Sequence, residues 1–324
     1  MKIGLLITSI LLALLVHGQK LEKVHSIVKE LKSEAWYQEQ SNLWKAEIDK
    51  NKKNAEAWYN YYSANRALKN ISWNDTALVA KYAKVCNQIA DAAYKAVPNS
   101  FEGNHIVWWN GFNDQSNIKY LKRAYEIDPT NPRAYTDLML HYIFEQNDSM
   151  AKEFAEKLFR ANDMPAGAYN WAYNILAEVE RNAIIFTAGD NDTFLPWIVQ
   201  KVFGFRQDVT IMNTSLLRLD EYRNNLFKKI GMPSFSKSIE NCKTYQESVN
   251  HQKELYAHIF AQEEQFPVYI ASTAMHQFQN DYTNNLYLVG LNYKYCDNSF
   301  DNIAQIKRNY EKRHQLDYLM HTFS

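Results

Sequence analysis

Residues 183–197 read Ala-Ile-Ile-Phe-Thr-Ala-Gly-Asp-Asn-Asp-Thr-Phe-Leu-Pro-Trp. The first six residues are mostly apolar and rich in β-branched side chains, which favours a buried strand. After Gly189 the pattern becomes polar and then aromatic, with the spacing of a helix. A strand that passes directly into a helix is the repeating unit of an α/β fold, so this stretch predicts an α/β domain.

The same alternation continues towards the carboxyl terminus. Apolar runs predict further strands at 208–213, 266–271 and 286–295. Helical patterns lie between and after them, at 194–203, 220–230, 245–264 and 303–320. Strands separated by helices of this length usually run parallel. We therefore predict a small, largely parallel-sheet α/β domain over residues 181–324.

Polar side chains follow three of the predicted strands, at the point where each strand ends. Because the carboxyl ends of parallel strands meet at one edge of a sheet, we expect these side chains to lie together. This edge is where open α/β sheets usually bind ligands. The predicted ligand-binding residues are Asp190, Asn191, Asp192, Asn213, Ser215 and Thr273.

The acidic residues at the end of the first strand have two interpretations. Asp190 and Asp192 are hard oxygen ligands that would suit a divalent cation such as Mg²⁺, Ca²⁺ or Mn²⁺, or would accept sugar hydroxyls. Alternatively, they cap the following helix, and Pro196 in its first turns fits that interpretation. The aromatic residues Trp197 and Tyr222 would stack on a sugar or belong to the core.

The chain before the α/β domain contains an internal repeat. Ala134-Tyr135 recurs as Ala168-Tyr169, 34 residues later, and the same interval separates Phe101 from Tyr135. These residues and their spacing resemble tetratricopeptide repeats. The resemblance implies stacked helix pairs over residues 19–180, with a concave face that binds a protein or peptide partner. An alternative is that the repeats only support the second half of the chain.

The amino terminus resembles a secretory signal peptide. Lys2 precedes an apolar run over residues 3–16, and Gly18 offers a small residue for cleavage. We therefore predict that residues 1–18 are removed and that the protein is exported from a bacterial cell, to the periplasm or beyond. The formal net charge of +0 gives no indication of nucleic-acid binding. No later stretch is apolar enough to cross a membrane, so a membrane span after signal cleavage is not expected.

A second resemblance concerns the α/β domain. The segment 189–197, Gly-Asp-Asn-Asp-Thr-Phe-Leu-Pro-Trp, is similar to one in a large family of Bacteroidetes membrane proteins that resemble protein O-mannosyltransferases. The similarity continues through 204–209, 213–217 and 290–293. It implies a module from the soluble, extramembrane region of that family. The multi-span membrane part is absent and Leu195-Pro196 departs from the family's order, so transferase activity does not carry over.

These observations predict an α + α/β chain, in which tetratricopeptide-like repeats precede the α/β domain. We expect an exported, non-catalytic interaction or scaffold protein of the cell envelope, linked to glycan or envelope assembly. The alternative is a sugar- or cation-binding module, hydrolytic or accessory to glycosyl transfer, that uses Asp190 and Asp192. A third interpretation gives the α/β domain the sole role of terminating the repeats. No cofactor is expected unless a divalent cation binds at these aspartates.

Overall fold

The computed structural model describes residues 20–111, 114–162 and 164–317. The predicted signal peptide, residues 1–18, lies outside this part of the chain. Two compact units make up the protein, one that ends at Leu138 and one that begins at Met139. Each unit is described by itself below.

The first unit is helical. Its helices are α1 (Glu34–Lys50), α2 (Ala55–Ile71), α3 (Thr76–Ala96), α4 (Phe101–Asn110), α5 (Ile118–Ile127) and the start of α6 (Tyr135–Phe144). The first four begin where a polar side chain, from Ser33, Asn54, Asp75 or Ser100, accepts a hydrogen bond from an N–H of the first turn. Such caps satisfy donors that the helix itself leaves unpaired, so these loop residues fix the helix starts.

Helices that follow one another in the chain pack together in the first unit. Large residues such as Tyr62 and Leu68 of α2 share a buried cluster with small ones such as Ala90 and Ala93 of α3. Alanine lets neighbouring helices approach closely, and the large side chains fill the space between them. This arrangement of helix pairs is compatible with the predicted repeats.

The second unit joins helices to a five-stranded sheet. Its helices include α7 (Asp148–Arg160), α8 (Ala166–Ala177), α9 (Asp190–Phe203), α10 (Asp220–Ile230), α11 (Tyr245–Phe260), α12 (Gln279–Tyr282) and α13 (Asn302–Lys312). The strands are β1 (Ile184–Thr187), β2 (Thr210–Asn213), β3 (Val268–Ala271), β4 (Leu286–Leu288) and β5 (Asn292–Tyr295). The helices α7 and α8 both pack against α9. The predicted combination of helices with an α/β domain is therefore confirmed.

The sheet has the strand order β2-β1-β3-β5-β4, and it is mixed. The strand β1 runs parallel to β2 and to β3, whereas β5 runs antiparallel to both β3 and β4. The prediction of a largely parallel sheet was therefore correct for only part of it. The predicted strand 286–295 is in fact the hairpin of β4 and β5, because the chain reverses at Gly290, whose φ is +148°.

The core of the sheet explains its apolar sequences. All four residues of β1 and all four of β3 are buried, which fits strands covered on both faces. Phe186 of β1 contacts Tyr256, Phe260 and Phe278, with ring centroids 5.0–5.7 Å apart. This aromatic cluster fixes β1 under α11 and so sets the position of the strand ends.

Three helix boundaries differ from the sequence prediction. The helix α9 begins at Asp190 rather than near residue 194, because Gly189 with a φ of +82° occupies the cap position. The helix α11 ends at Phe260, four residues before the predicted end. The helix α13 covers Asn302–Lys312, a shorter range than 303–320. Within the described ranges, no helix combines the length and apolarity that crossing a bilayer requires.

Candidate functional site

The sheet topology brings the predicted site residues to one place. From β1 the chain crosses to β2 on one side and later returns to β3 on the other. The carboxyl ends of these three parallel strands therefore lie side by side, and α/β proteins commonly bind ligands at such a reversal of strand order. The segments 187–193, 213–216 and 272–277 follow these strand ends.

Asn213 at the end of β2 ties two of these segments together. Its side-chain amide donates to Thr193 Oγ1 at 2.7 Å and to the Gly189 carbonyl at 3.1 Å. Its carbonyl oxygen accepts from the backbone N–H groups of Ser215 at 2.9 Å and Leu216 at 3.0 Å. The side chain is buried, so its hydrogen bonds serve to fix the loops around it.

Thr193 continues this polar network towards β1. Its hydroxyl lies 2.8 Å from the Thr187 hydroxyl and donates to the Gly189 carbonyl at 2.8 Å. Both threonines are fully buried. The first turn of α9 is thus held against the ends of β1 and β2 by buried hydrogen bonds.

Asp192 lies between the ends of β1 and β3. Burial raises the pKa of its carboxyl group, and a hydrogen bond from Thr273 together with the charge of His276 partly opposes that rise. Asp190 and Asn191 are exposed in the same helical turn. No side-chain oxygen caps α9 at Gly189. Among the described residues, no three His, Cys, Asp or Glu side chains form a group that could hold a metal ion.

A polar cleft of about 530 Å³ opens just beyond the ends of β2 and β3, and we call it the strand-tip cleft. Of the predicted site residues, Ser215 lines this cleft, whereas Asp190, Asn191, Asp192, Asn213 and Thr273 lie outside its lining. The other lining residues are Thr214, Arg218, Tyr245, Val249, Gln252, Lys253, His276, Gln277, Asn280 and Asp281. This set is rich in hydrogen-bond donors and acceptors.

The charged groups of the strand-tip cleft are held by neighbours. Arg218 donates to Ser248 Oγ at 2.8 Å, and Lys253 Nζ lies 2.8 Å from a carboxylate oxygen of Asp281. His276 Nδ1 lies 3.1 Å from the Thr273 carbonyl, which links the cleft to the segment beside Asp192. The cleft therefore offers positioned cationic, amide and carboxylate groups.

Tyr245 is the one aromatic side chain in the lining, and 85% of its surface is exposed. It is the first residue of α11 and lies between Thr244 and Glu247, which together form a capping box. In that box the Thr244 hydroxyl accepts from the Glu247 N–H at 3.1 Å, and Glu247 accepts from the Thr244 N–H at 3.0 Å. The two bonds fix the start of the helix and with it the backbone that carries the ring.

A second cleft, of about 510 Å³, lies beside β2, one of the two edge strands of the sheet, and we call it the edge-strand cleft. Trp197 and Tyr222, the aromatic pair for which sugar stacking or a core role was predicted, both line it. Trp197 is nearly buried, and Tyr222 packs edge-on against Phe144 with centroids 5.4 Å apart. Asp148 accepts from Lys201 at 3.1 Å and from Lys229 at 3.0 Å across its mouth.

Two polar clusters were not foreseen from the sequence. In the second unit, Glu178 is fully buried and its carboxylate lies 2.7 Å from Nε2 of His314. The same carboxylate accepts from the backbone N–H groups of Leu291 and Asn292 and from the Asn292 amide. The residues come from three segments far apart in the chain, and no local pattern links them.

The other cluster lies in the first unit around His105, which is fully buried. Its ring stacks on Phe101 and Tyr59, and its Nδ1 lies 3.2 Å from the Tyr59 hydroxyl. Asp137 accepts from the indole N–H groups of Trp108 at 2.8 Å and Trp109 at 2.9 Å. The adjacent tryptophans were the one sequence signal that could have indicated this cluster.

A family comparison covers part of the second unit. Residues 168–296 match the family model described as TMEM260-associated domain 2. Among curated proteins, none matches the chain. The matched range includes all five strands and the whole strand-tip cleft. Residues 168–296 of the second unit are therefore similar to a membrane-protein-associated domain, which bears out the coarser part of the predicted resemblance.

Proposed function

We propose that this chain is an exported, non-catalytic recognition protein of the bacterial cell envelope, and that its strand-tip cleft binds a sugar. The observation that carries the proposal is Tyr245, a largely exposed aromatic ring at a cleft otherwise lined mainly by polar side chains. An exposed ring provides a flat apolar surface for the C–H face of a pyranose. Its fixed backbone reduces the entropy lost when a ligand is ordered.

The polar lining supports the same ligand class. Sugar hydroxyls both donate and accept hydrogen bonds, and Gln252, Gln277 and Asn280 supply amides that can do the same. Arg218 and the Lys253–Asp281 pair add charged partners, whose hydrogen bonds are stronger than neutral ones. Among the described residues of the cleft lining, no nucleophile is hydrogen-bonded to a base, so we propose recognition rather than catalysis.

A glycan array probed with the purified protein tests this proposal. We expect selective binding that Tyr245→Ala weakens at least tenfold, a loss of about 1.4 kcal/mol. Tyr310→Ala is the matched control, because Tyr310 is also exposed in the second unit but lies outside the cleft. Failure of every glycan to bind, or equal binding by Tyr245→Ala, would exclude a sugar site in this cleft.

Export is the second part of the proposal, and it rests on the amino-terminal sequence. Lys2, the apolar run over 3–16 and Gly18 have the order of a cleavable signal. Expression of the full chain in a bacterium, followed by fractionation and amino-terminal sequencing, tests it. A mature protein outside the cytoplasm that begins near residue 19 is expected, and an intact amino terminus in the cytoplasm would exclude export.

A second candidate function is protein binding by the helical unit, as expected of repeat proteins. It is favoured by two half-buried arginines whose guanidinium groups lie over aromatic rings. The guanidinium carbon of Arg66 is 4.5 Å from the ring centroid of Trp109, and that of Arg133 is 4.1 Å from the ring centroid of Tyr59. Positioned arginines and aromatic rings are enriched at protein interfaces. Crosslinking in native envelopes should capture a defined partner, and Arg66→Ala should reduce that capture relative to Lys52→Ala, a change at an exposed loop residue.

A further inference from the structure

The edge-strand cleft lies along the side of β2 that pairs with no other strand. The strand β2 pairs with β1 on one side and has no strand on the other. Val209, Thr210 and Ile211 all line the cleft. A sheet edge that faces a cavity is a place where an extended segment can add by hydrogen bonding to the backbone.

The register shows which backbone groups face outwards. Thr210 N–H donates to the Ala183 carbonyl at 2.8 Å, and Thr214 N–H donates to the Thr187 carbonyl at 3.0 Å. Successive residues of a strand point in opposite directions, so the N–H and C=O of Ile211 are directed away from β1. Outside the strand pairing, no hydrogen bond joins the Ile211 backbone to any other residue that the structure describes.

The outward position before Ile211, at Val209, is already hydrogen-bonded. Gln200 donates from its side-chain amide to the Val209 carbonyl at 2.7 Å, and Val209 N–H donates to the Arg206 carbonyl at 3.1 Å. Ile211 is only 3% exposed. The pair of backbone groups at Ile211 is therefore open to a partner that supplies both an acceptor and a donor.

Charge and shape restrict that partner further. Three lysines, Lys152, Lys201 and Lys229, line the cleft. Two carboxylates pair with them, Asp148 with both Lys201 and Lys229, and Glu156 with Lys152 at 4.0 Å. The resulting excess of positive charge favours an acidic ligand. Beside the lysines, Trp197 and Tyr222 provide an apolar wall that would accept a hydrophobic side chain.

We propose that the edge-strand cleft binds an extended acidic peptide segment of a partner protein, which pairs with the Ile211 backbone as an added strand. Alternate side chains of such a segment point in opposite directions. One set faces the wall of Trp197 and Tyr222, and acidic groups reach Lys201 and Lys229. The site is separate from the strand-tip cleft and does not depend on sugar binding there.

A random heptapeptide library displayed on phage and panned against the full-length protein tests the proposal. We expect enrichment of sequences that combine acidic with apolar or aromatic residues, and at least tenfold weaker binding of a selected peptide to Lys229→Glu. Lys228→Glu is the matched control, because it makes the same charge change on the same helix outside the cleft lining. If no peptide is enriched, or if both variants bind equally well, the proposal is overturned.

Methylation of the peptide backbone then distinguishes strand addition from binding by charge alone. Two versions of the selected peptide carry N-methyl groups on alternate amides, offset from each other by one residue. Strand addition predicts that one version loses binding at least tenfold while the other keeps it, because only one set of amides faces β2. Slower hydrogen exchange at the Ile211 amide is expected with the active version. Equal binding by both versions, or loss by both, would overturn strand addition.

Discussion

The two units each contain a buried histidine beside a carboxylate, but the two pairs differ in distance. In the second unit, His314 Nε2 lies 2.7 Å from Glu178, and since a carboxylate only accepts, the imidazole nitrogen donates. In the first unit, His105 Nε2 lies 3.8 Å from Asp137 Oδ2 and has no hydrogen-bond partner among the described residues. The first distance is that of a strong hydrogen bond, whereas the second is too long for a hydrogen bond.

The two carboxylates also have different hydrogen-bond partners. Two indole N–H groups already occupy the nearest oxygen of Asp137. Burial lowers the pKa of His105 to about 3, and the charges of Arg133 and Arg66 add to this effect. His105 is therefore neutral at pH 7. Burial alone thus does not decide the role of a histidine. Glu178 accepts from His314 as well as from backbone N–H groups. Asp137 accepts from two indoles and lies too far from His105 for a hydrogen bond.

The largest expected effect comes from removing Glu178. Glu178→Ala leaves His314 and the N–H groups of Leu291 and Asn292 buried without their acceptor. We expect a loss of about 3–5 kcal/mol in the stability of the second unit. Native-state hydrogen exchange at the amides of β3 measures that unit separately from the helical one. Glu178→Gln keeps the shape and one acceptor oxygen, so it should lose clearly less stability. Equal hydrogen-exchange rates in both variants and the wild type would contradict this assignment.

The pH dependence of the first unit tests the other histidine. The folded pKa of His105 is below its unfolded value of about 6.5, so the unfolded state binds more protons between pH 6.5 and pH 3. The stability contribution is present above pH 6.5 and is lost as the pH falls. Between pH 6.5 and pH 4.5 the loss should be about 2–3 kcal/mol.

His105→Phe is expected to remove this part of the pH dependence, because phenylalanine cannot be protonated. Its absolute stability at pH 7 also changes, since the Tyr59 hydroxyl loses a partner, so the slope with pH is the decisive quantity. Urea unfolding followed by circular dichroism at several pH values gives that slope. If wild type and variant lose stability in parallel below pH 6.5, His105 is not the group responsible.

Gly290 tests how tightly the Glu178 cluster is packed. A methyl group on Gly290 would collide with the Glu178 carboxylate, and the φ of +148° is unfavourable for any residue with a side chain. Gly290→Ala should therefore destabilise the second unit by about 1–3 kcal/mol. Gly167→Ala is the control, since Gly167 lies in α8 with nothing within 4 Å of the added methyl group. Thermal unfolding should show a loss for the first variant and no loss for the second.

A smaller effect is expected at Asp192, because its carboxylate is only half-buried. Its folded pKa is raised by burial, so its contribution is fully present below the unfolded pKa and is lost as the pH rises through the folded value. Asp192→Asn should then stabilise the protein slightly at pH 7, by a few tenths of a kcal/mol after solvent screening. The exposed Asp190→Asn serves as control in the same thermal unfolding assay. Clear destabilisation by Asp192→Asn alone would show that the ionised carboxylate supports the fold.

The alternation of strands and helices could be predicted because it depends on local patterns. The helix 220–230 was placed at its observed limits, since Asp220 opens it and Gly231 ends it with a φ of +76°. The hairpin at Gly290 was missed because both its strands are short and contain tyrosine, a strand-forming residue, so the run resembled a single strand. One glycine was the sole sign of reversal.

For the predicted ligand-binding residues, the sequence pattern could predict only their common location at the strand ends. Parallel pairing explains why Asn213 and Thr193 meet and why Asp192 lies beside Thr273. Their separate roles depend on side-chain directions that no strand pattern contains. Tyr245 and Lys253 line the strand-tip cleft from α11, a helix that begins 32 residues after the end of β2. No local pattern therefore groups them with Ser215.

The pairing of Glu178 with His314 has a consequence for how the protein folds during synthesis. The two residues are 136 positions apart, whereas the helix pairs of the first unit join neighbours in the chain. Contacts between distant residues form late, because a long loop must close before they contribute. The first unit can fold while the ribosome is still translating the second. Glu178 must wait for its partner until almost the whole chain has been made.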